Sequence, residues 1–220
     1  MGFPAQATWR RASWVRACMV STLDGSAIGN DGVSGGISTP VDHENFLRLR
    51  RDCDVILVGA GTVRIEDYAR TSVPLAAVSN RLDLAPTLRL FSPDLPGARP
   101  LVLTTSAAAT RAPSWLSAAA DLVICGDEHV DLVVAINALT DRGYRRIHCE
   151  GGPMLLGDLV SADLLDEVIL SITPSFMGTS MRILSSHTAT TTMRFTGVWE
   201  QDGTVIVQAR HSFYDPSATR

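Results

Sequence analysis

The chain contains 220 residues, of which 45% are hydrophobic and 19% are charged, and its formal net charge is −4 at pH 7. This composition allows a sizeable core, and the lack of long basic runs argues against a nucleic-acid groove. No apolar run approaches the ~18 residues that a membrane-spanning helix needs, and no signal-peptide pattern is found, so we expect a cytoplasmic protein without membrane contact. The four cysteines are widely spaced, which favours buried free thiols over disulfides or a metal site.

Strands and helices are predicted to alternate over the first 160 residues. The predicted strands are apolar runs bounded by turn residues, at 13–22, 53–58, 101–104, 122–125, 145–149, 167–173, 193–199 and 204–213. The predicted helices are periodic segments with suitable first residues, at 40–51, 113–119, 130–141 and 153–161. Prolines interrupt residues 70–100, which we interpret as irregular.

This order of elements indicates an α/β fold. Its central sheet is expected to be mostly parallel and flanked by helices, because strands and helices alternate. The last two strands join across Asp202-Gly203, a dipeptide typical of hairpins, so an antiparallel C-terminal hairpin should extend the sheet. Residues 1–12 are interpreted as a loose arm and residues 13–220 as a single domain.

Glu150, Gly151, Gly152 and Pro153 connect a predicted strand to a predicted helix. Two glycines allow close approach of the backbone to a ligand, and proline suits the first helical position. The free N–H groups and the dipole of the helix N-terminus favour an anion such as phosphate. A plain glycine-rich connection remains an alternative interpretation of this stretch.

Two further strand ends carry glycine or hydroxyl side chains, at 59–63 and 104–106. Carboxyl ends of parallel strands lie along one rim of a sheet, so these stretches and 150–153 are expected to cradle a dinucleotide. None of them is a G-x-G-x-x-G fingerprint, and each is also compatible with a tight turn. Asp24 ends the first strand, where it either orients a substrate or forms a simple Asp-Gly turn.

Four motifs in this order resemble those of a known family. They are VSTLDG at 20–25, DVILVGAGTV at 54–63, EGGPML at 150–155, and LLDEV at 164–168 followed by Thr173-Pro174 and Gly178. Together they resemble the riboflavin-biosynthesis reductase domain, the C-terminal half of bacterial bifunctional deaminase-reductases, over about 13–213. The resemblance implies a dihydrofolate-reductase-like fold, NADPH as cofactor and a homodimer. It also implies reduction of the ribosyl group of 5-amino-6-(5-phosphoribosylamino)uracil to ribityl.

The resemblance also implies roles for individual residues. Asp24 and Glu150 are the candidate catalytic residues. The candidate cofactor-binding residues are Gly59, Gly61, Thr62, Val63, Gly151, Gly152 and Leu155, with Thr104 and Ser106 for the 2′-phosphate. The candidate substrate-binding residues are Thr22 and Asp24, with Arg64 or Arg70 for the substrate phosphate.

The substrate side departs from the family pattern. Ser26 stands where the family usually has a basic residue after Leu-Asp-Gly. The zinc deaminase half of the bifunctional proteins is not found, since no P-C-x-x-C motif occurs in these 220 residues, which suggests a stand-alone reductase. Two alternatives stay open: a reductase of another heterocycle such as dihydrofolate or a dihydropterin, and a non-catalytic nucleotide-binding protein on the same scaffold.

Overall fold

The computed structural model describes residues 12–184 and 191–212. Its nine strands form one sheet: β1 (Trp14–Thr22), β2 (Val55–Gly59), β3 (Leu75–Val78), β4 (Leu101–Thr104), β5 (Asp121–Ile124), β6 (Arg146–Cys149), β7 (Glu167–Thr173), β8 (Met193–Gln201) and β9 (Thr204–His211). Its α-helices are α1 (Pro40–Arg51), α2 (Ala60–Glu66), α3 (Ser106–Ala109), α4 (Ser114–Ala119), α5 (Leu132–Asp141) and α6 (Pro153–Ser161). The arm proposed for 1–12 lies outside the described residues except for its last residue.

The strand order across the sheet is β5-β4-β3-β2-β6-β1-β7-β9-β8. The first seven strands of the chain pair in parallel, and β9 pairs antiparallel with both β7 and β8. The predicted fold class is therefore confirmed, including the antiparallel hairpin at one edge. Because β6 inserts between β2 and β1, the glycine turns that follow β2 and β6 become neighbours.

The sheet is covered on both faces, and the second strand shows how. Val55 and Leu57 pack into the cluster formed with α5 and α6. Ile56 and Val58, one residue out of phase, pack into the cluster on the opposite face. Side chains alternate between the faces of a strand, so a run buried on both sides must be apolar throughout.

The irregular interpretation of residues 70–100 was wrong for one segment, because Leu75–Val78 forms β3. This strand is four residues long and contains two alanines, which have low strand propensity. Its pairing with β2 and β4 and the complete burial of Ala76 and Ala77 supply the stability that local propensity does not. The last predicted strand ends at His211, and residue 213 lies outside the described part of the chain.

The other predicted elements are present in the predicted order, whereas the short helices α2 and α3 stand beyond the four predicted ones, where glycine- and hydroxyl-rich strand ends were expected. The ends of α1 follow from local hydrogen bonds. Thr39 is the N-cap of α1, where its hydroxyl accepts from the N–H of Asp42, with Pro40 at the first helical position. All four cysteines are buried and unpaired, as the sequence predicted. Within the described ranges, no helix has the length and apolar character needed to cross a membrane.

Candidate active site

A cavity of about 750 Å³ lies beside the sheet, bordered by β1, α1, α2 and the turn after β6. Cys18, Met19 and Val20 of β1 contribute to its wall. The first turns of α1, the segment that follows α2 and the loop before α1 complete the wall. The cavity has the size of a small-molecule site, and it is bounded by the carboxyl end of a parallel strand, where open α/β sheets bind ligands.

The turns after β2 and β6 meet at one end of this cavity. The N–H of Gly59 donates to the carbonyl oxygen of Gly151 at 2.8 Å. A Cβ atom on Gly152 would lie 2.6 Å from the hydroxyl oxygen of Thr62, which is closer than real Cβ contacts. Gly151 has a φ of +86°, and the Gly151-Gly152 peptide is cis. The turn therefore excludes side chains from the space between α2 and α6.

Helix α6 presents an uncapped N-terminus at this turn. Gly152 is its N-cap and offers no side-chain hydrogen bond, and Pro153 occupies the first position. Gly152 and Pro153 line the cavity, and the Met154 side chain that follows them is 70% exposed. The first-turn N–H groups of a helix have no intrahelical partner, so this end is suited to an anion.

Glu150 forms a two-pronged ion pair that sequence reasoning missed. Its carboxylate accepts 2.7 Å hydrogen bonds from Nε and a terminal nitrogen of Arg50, at the end of α1. The Glu150 side chain is only 1% exposed. The Arg50 guanidinium also lies 4.3 Å from the ring centre of Phe46 and 5.4 Å from that of Tyr68. These contacts hold the carboxylate in one orientation.

Tyr68 and His148 flank this ion pair, and burial shifts both of their pKa values. Burial, and then the carboxylate of Glu150, raise the pKa of Tyr68 well above its usual range. Burial, and then the charges of Arg16 and Arg50, lower the pKa of His148 well below its usual range, so its imidazole is neutral. Arg16 donates to Nδ1 of His148, so the proton sits on Nε2, 3.7 Å from the Glu150 carboxylate.

Asp24 is held by its own loop and by the segment after β7. Its carboxylate accepts from the hydroxyls of Thr22 and Ser26 and from the N–H groups of Met177 and Gly178. These bonds, with Thr22 and Gly178 first, hold the Asp24 pKa well below its usual range. Neither Thr22 nor Asp24 is part of the cavity wall. At neutral pH Asp24 is thus a carboxylate that joins two loops beside the cavity.

The remaining candidate residues fall into three groups: those at the glycine turn, those in the core, and those whose side chains are bonded elsewhere. Gly59, Gly61 and Thr62 lie at or next to the glycine turn, whereas Val63 and Leu155 pack in the core.

The hydroxyl and arginine candidates are bonded elsewhere. Thr104 is fully buried and donates to the Ser79 carbonyl, and Ser106 donates to the Asp127 carboxylate. Arg64 bonds to Asp83 and Arg70 to the Leu90 carbonyl, and neither lines the cavity.

Comparison with known proteins identifies the family. Residues 13–207 match the model of the RibD C-terminal domain. The chain belongs to the RibD C-terminal domain family. It is 28% identical over 178 residues to the 2,5-diamino-6-ribosylamino-4(3H)-pyrimidinone 5′-phosphate reductase of Archaeoglobus fulgidus, covering 73% of this chain and 80% of that protein.

Solved structures support the same assignment of fold. A pyrimidine reductase-like protein from Corynebacterium diphtheriae superposes with a TM-score of 0.80 at 24% identity, covering 90% of this chain and 92% of that one. Dihydrofolate reductase from Enterococcus faecalis, complexed with NADP(H), superposes with a TM-score of 0.54 at 8% identity, covering 90% and 96% of the two chains. The dihydrofolate-reductase-like fold implied by the motifs is confirmed.

Proposed function

We propose that the chain is a cytoplasmic NADPH-dependent reductase of riboflavin biosynthesis, with residues 13–220 acting as one domain. Its reaction converts the ribosyl group of a phosphorylated ribosylaminopyrimidine into ribityl. The observation that carries this proposal is the cavity that ends at the side-chain-free turn of Gly59, Gly151 and Gly152, in a chain of a reductase family.

The glycine turn fits a nicotinamide dinucleotide. Because Gly152 has no side chain, a pyrophosphate would contact the backbone N–H groups at the uncapped start of α6. Gly59, Gly61 and Thr62 would lie on its other side. When bound, the nicotinamide supplies the hydride, while the protein aligns the reactants and excludes water. For the 2′-phosphate we keep Ser106, whose hydroxyl is half-buried, in preference to the fully buried Thr104.

Glu150 would orient the substrate, and Asp24 would hold the loops beside it. Glu150 has both oxygens bonded to Arg50, and its remaining lone pairs can accept from a sugar hydroxyl. Asp24 would fix the loops at the substrate end of the cavity. Because both carboxylates act here as hydrogen-bond acceptors, the proton that accompanies the hydride would come from solvent.

The assay that tests this proposal adds candidate substrates to protein with NADPH and follows the loss of nicotinamide absorbance. Turnover of the ribosylaminopyrimidine phosphate supports it. Turnover of dihydrofolate alone would move the activity to another heterocycle. Tight NADPH binding without any turnover would indicate a nucleotide-binding protein. NADH measured in parallel decides the cofactor.

Arg89 is our candidate for the substrate phosphate. It lines the cavity and is exposed, and within the described residues its hydrogen bonds are made by the backbone: the N–H donates to Asp67 and the carbonyl oxygen accepts from Ser92, so its guanidinium is available to a ligand. A charge-assisted bond contributes about 1.5–3 kcal/mol, so we expect Arg89→Ala to raise KM for the phosphorylated substrate roughly 10–100-fold. The exposed Arg81, replaced by alanine, is the matched control. Weakened NADPH binding in Arg89→Ala would assign this side chain to the cofactor instead.

We also propose a homodimer through the C-terminal strands. β8 is the outermost strand, and its Phe195 and Val198 are 72% and 61% exposed. A register shift between Phe195 and Gly197 places Phe195 and Val198 opposite Ala209 and Val207, and therefore on one face. Exposed aromatic and aliphatic neighbours are typical of an interface.

We expect Phe195→Asp to convert the dimer into a folded monomer, measured by light scattering after gel filtration. A desolvated carboxylate at an apolar interface is costly, whereas the same charge on the exposed neighbour Thr196 should leave the dimer intact. A wild-type monomer at working concentration would contradict the dimer, and a dimeric Phe195→Asp variant would place the interface elsewhere.

A further inference from the structure

We infer that Asp42 makes the site specific for a 2-aminopyrimidin-4(3H)-one and against the corresponding uracil. This inference rests on the proposed reductase function and identifies which of two ribosylaminopyrimidine phosphates is the substrate. The two molecules differ at ring position 2, where one carries an amino group and the other a carbonyl oxygen. Deamination converts the amino group into the carbonyl oxygen. A residue that selects between these two groups therefore determines whether reduction comes before or after deamination.

Four carboxylates line the cavity, and they differ in their hydrogen-bond partners. Both oxygens of Glu150 accept from Arg50. Glu66 accepts from the N–H of Ser34 at 2.9 Å, and Asp67 accepts from the N–H of Arg89. Glu150 is therefore fully engaged, whereas Glu66 and Asp67 each keep a second oxygen but are half-buried, so water can satisfy it.

Asp42 is buried yet keeps one carboxylate oxygen available. The residue is 5% exposed, and its Oδ2 accepts from the hydroxyl of Ser38 at 2.6 Å. Its Oδ1 has no recorded hydrogen-bond partner within 12–184 and 191–212. Oδ1 is not enclosed by protein atoms, and Asp42 lines the cavity, so a ligand in the cavity can reach this oxygen. The free oxygen therefore marks a position for a donor that the ligand brings.

The surroundings of Asp42 suit a flat heterocycle. Phe46 is one helical turn further along α1, so both side chains project from the same face of the helix, and both line the cavity. Cys18 lies on the floor of this region, and the Asp42 charge adds to burial in raising the pKa of its thiol. Phe46 and Cys18 can pack against the face of a heterocyclic ring, while the Asp42 carboxylate can accept hydrogen bonds from donors on the edge of that ring.

The chemistry of the two ring edges determines the preference. In the 2-aminopyrimidin-4(3H)-one, the ring N3–H and the exocyclic 2-amino group are adjacent donors, so together they match a carboxylate. In the uracil, the C2 carbonyl oxygen replaces that amino group and would face the Asp42 charge. Sites built to bond a donor reject analogues that lack it, because a buried acceptor is then left unpaired. Reduction would therefore precede the deamination that removes the 2-amino group.

The test compares kcat/KM and equilibrium affinity for the two ribosylaminopyrimidine phosphates in wild type, Asp42→Asn and Ser38→Ala. We expect wild type to prefer the 2-amino compound by at least about tenfold, since one charge-assisted bond exceeds 1.4 kcal/mol. Asp42→Asn should lower kcat/KM for the 2-amino compound about tenfold or more and change kcat/KM for the uracil little, so the preference between the two compounds disappears. Ser38→Ala removes only the neighbouring hydroxyl and should preserve this preference.

Outcomes for the inference and for the proposed function are separable. Equal affinity of wild type for both pyrimidines, or an unchanged ratio in Asp42→Asn, would overturn the role of Asp42 while leaving the reductase in place. Failure of wild type to reduce either compound would overturn the proposed function, and the affinity ratio would still decide whether Asp42 reads the ring. A loss of affinity for both compounds together, with weaker NADPH binding and a lower Tm, would mean that Asp42 is only structural.

Discussion

We expect Gly152→Asp to abolish NADPH binding in a chain that remains folded. The carboxylate would stand at the uncapped start of α6, where the backbone is suited to an anion, and would repel the pyrophosphate. Its Cβ would also occupy the space in front of Thr62. Titration of wild type and variant with NADPH, followed by fluorescence, measures the loss.

A second series separates the steric effect from the effect on the cofactor. Gly152→Ala introduces a Cβ at 2.6 Å from the Thr62 hydroxyl oxygen, and Thr62→Ala removes that contact. If the cofactor needs bare backbone, the double variant regains its Tm and still binds NADPH at least about tenfold more weakly than the Thr62→Ala single variant. A double variant with wild-type affinity would show that the turn is glycine-rich for packing alone. Unchanged affinity in a folded Gly152→Asp protein would contradict the placement of the cofactor.

The second large effect concerns Arg50. We expect Arg50→Ala to lower the free energy of unfolding by about 3–5 kcal/mol, because it leaves the carboxylate of Glu150 buried without its partner. It should also reduce kcat, since Glu150 loses its fixed orientation. Denaturant unfolding and steady-state assays measure both effects. The adjacent exposed Arg51, replaced by alanine, is the matched control and should change stability little.

The Arg50→Ala, Glu150→Gln double variant shows whether the unpaired charge is the cause. Removing both charges should recover part of the lost stability without restoring kcat. Arg50→Lys should be intermediate, because a lysine keeps the charge and cannot form the two-pronged bond. A loss of less than about 1 kcal/mol in Arg50→Ala would mean that the pair behaves like a surface salt bridge, and the orienting role of Arg50 would then be wrong.

The sequence predicted those features that depend on neighbours along the chain. Continuous apolar runs marked the buried strands, Thr39 and Pro40 marked the start of α1, and the motif at 150–153 marked the turn after β6. Strand β3 could not be predicted in the same way, because its stability comes from the strands on either side of Leu75–Val78.

Side-chain partners in the site depend on contacts that no local pattern encodes. Arg50 and Glu150 are 100 positions apart and meet because α1 ends beside the carboxyl end of β6. Thr104 had the right residue type for a phosphate ligand, but its hydroxyl donates inward to the Ser79 carbonyl. Asp42 lies in the first turn of α1, where acidic residues are common, so the sequence does not reveal its burial beside a cavity.

The most direct test of the central claim is transfer of deuterium from NADPH, labelled at the reactive nicotinamide carbon on either face, to the ribosylaminopyrimidine phosphate. We expect the product to carry one deuterium at C1′ of a ribityl chain when one of the two labelled cofactors is used, as measured by mass spectrometry and NMR. An unlabelled product, or substrate recovered unchanged with NADPH bound, would contradict a hydride-transferring reductase.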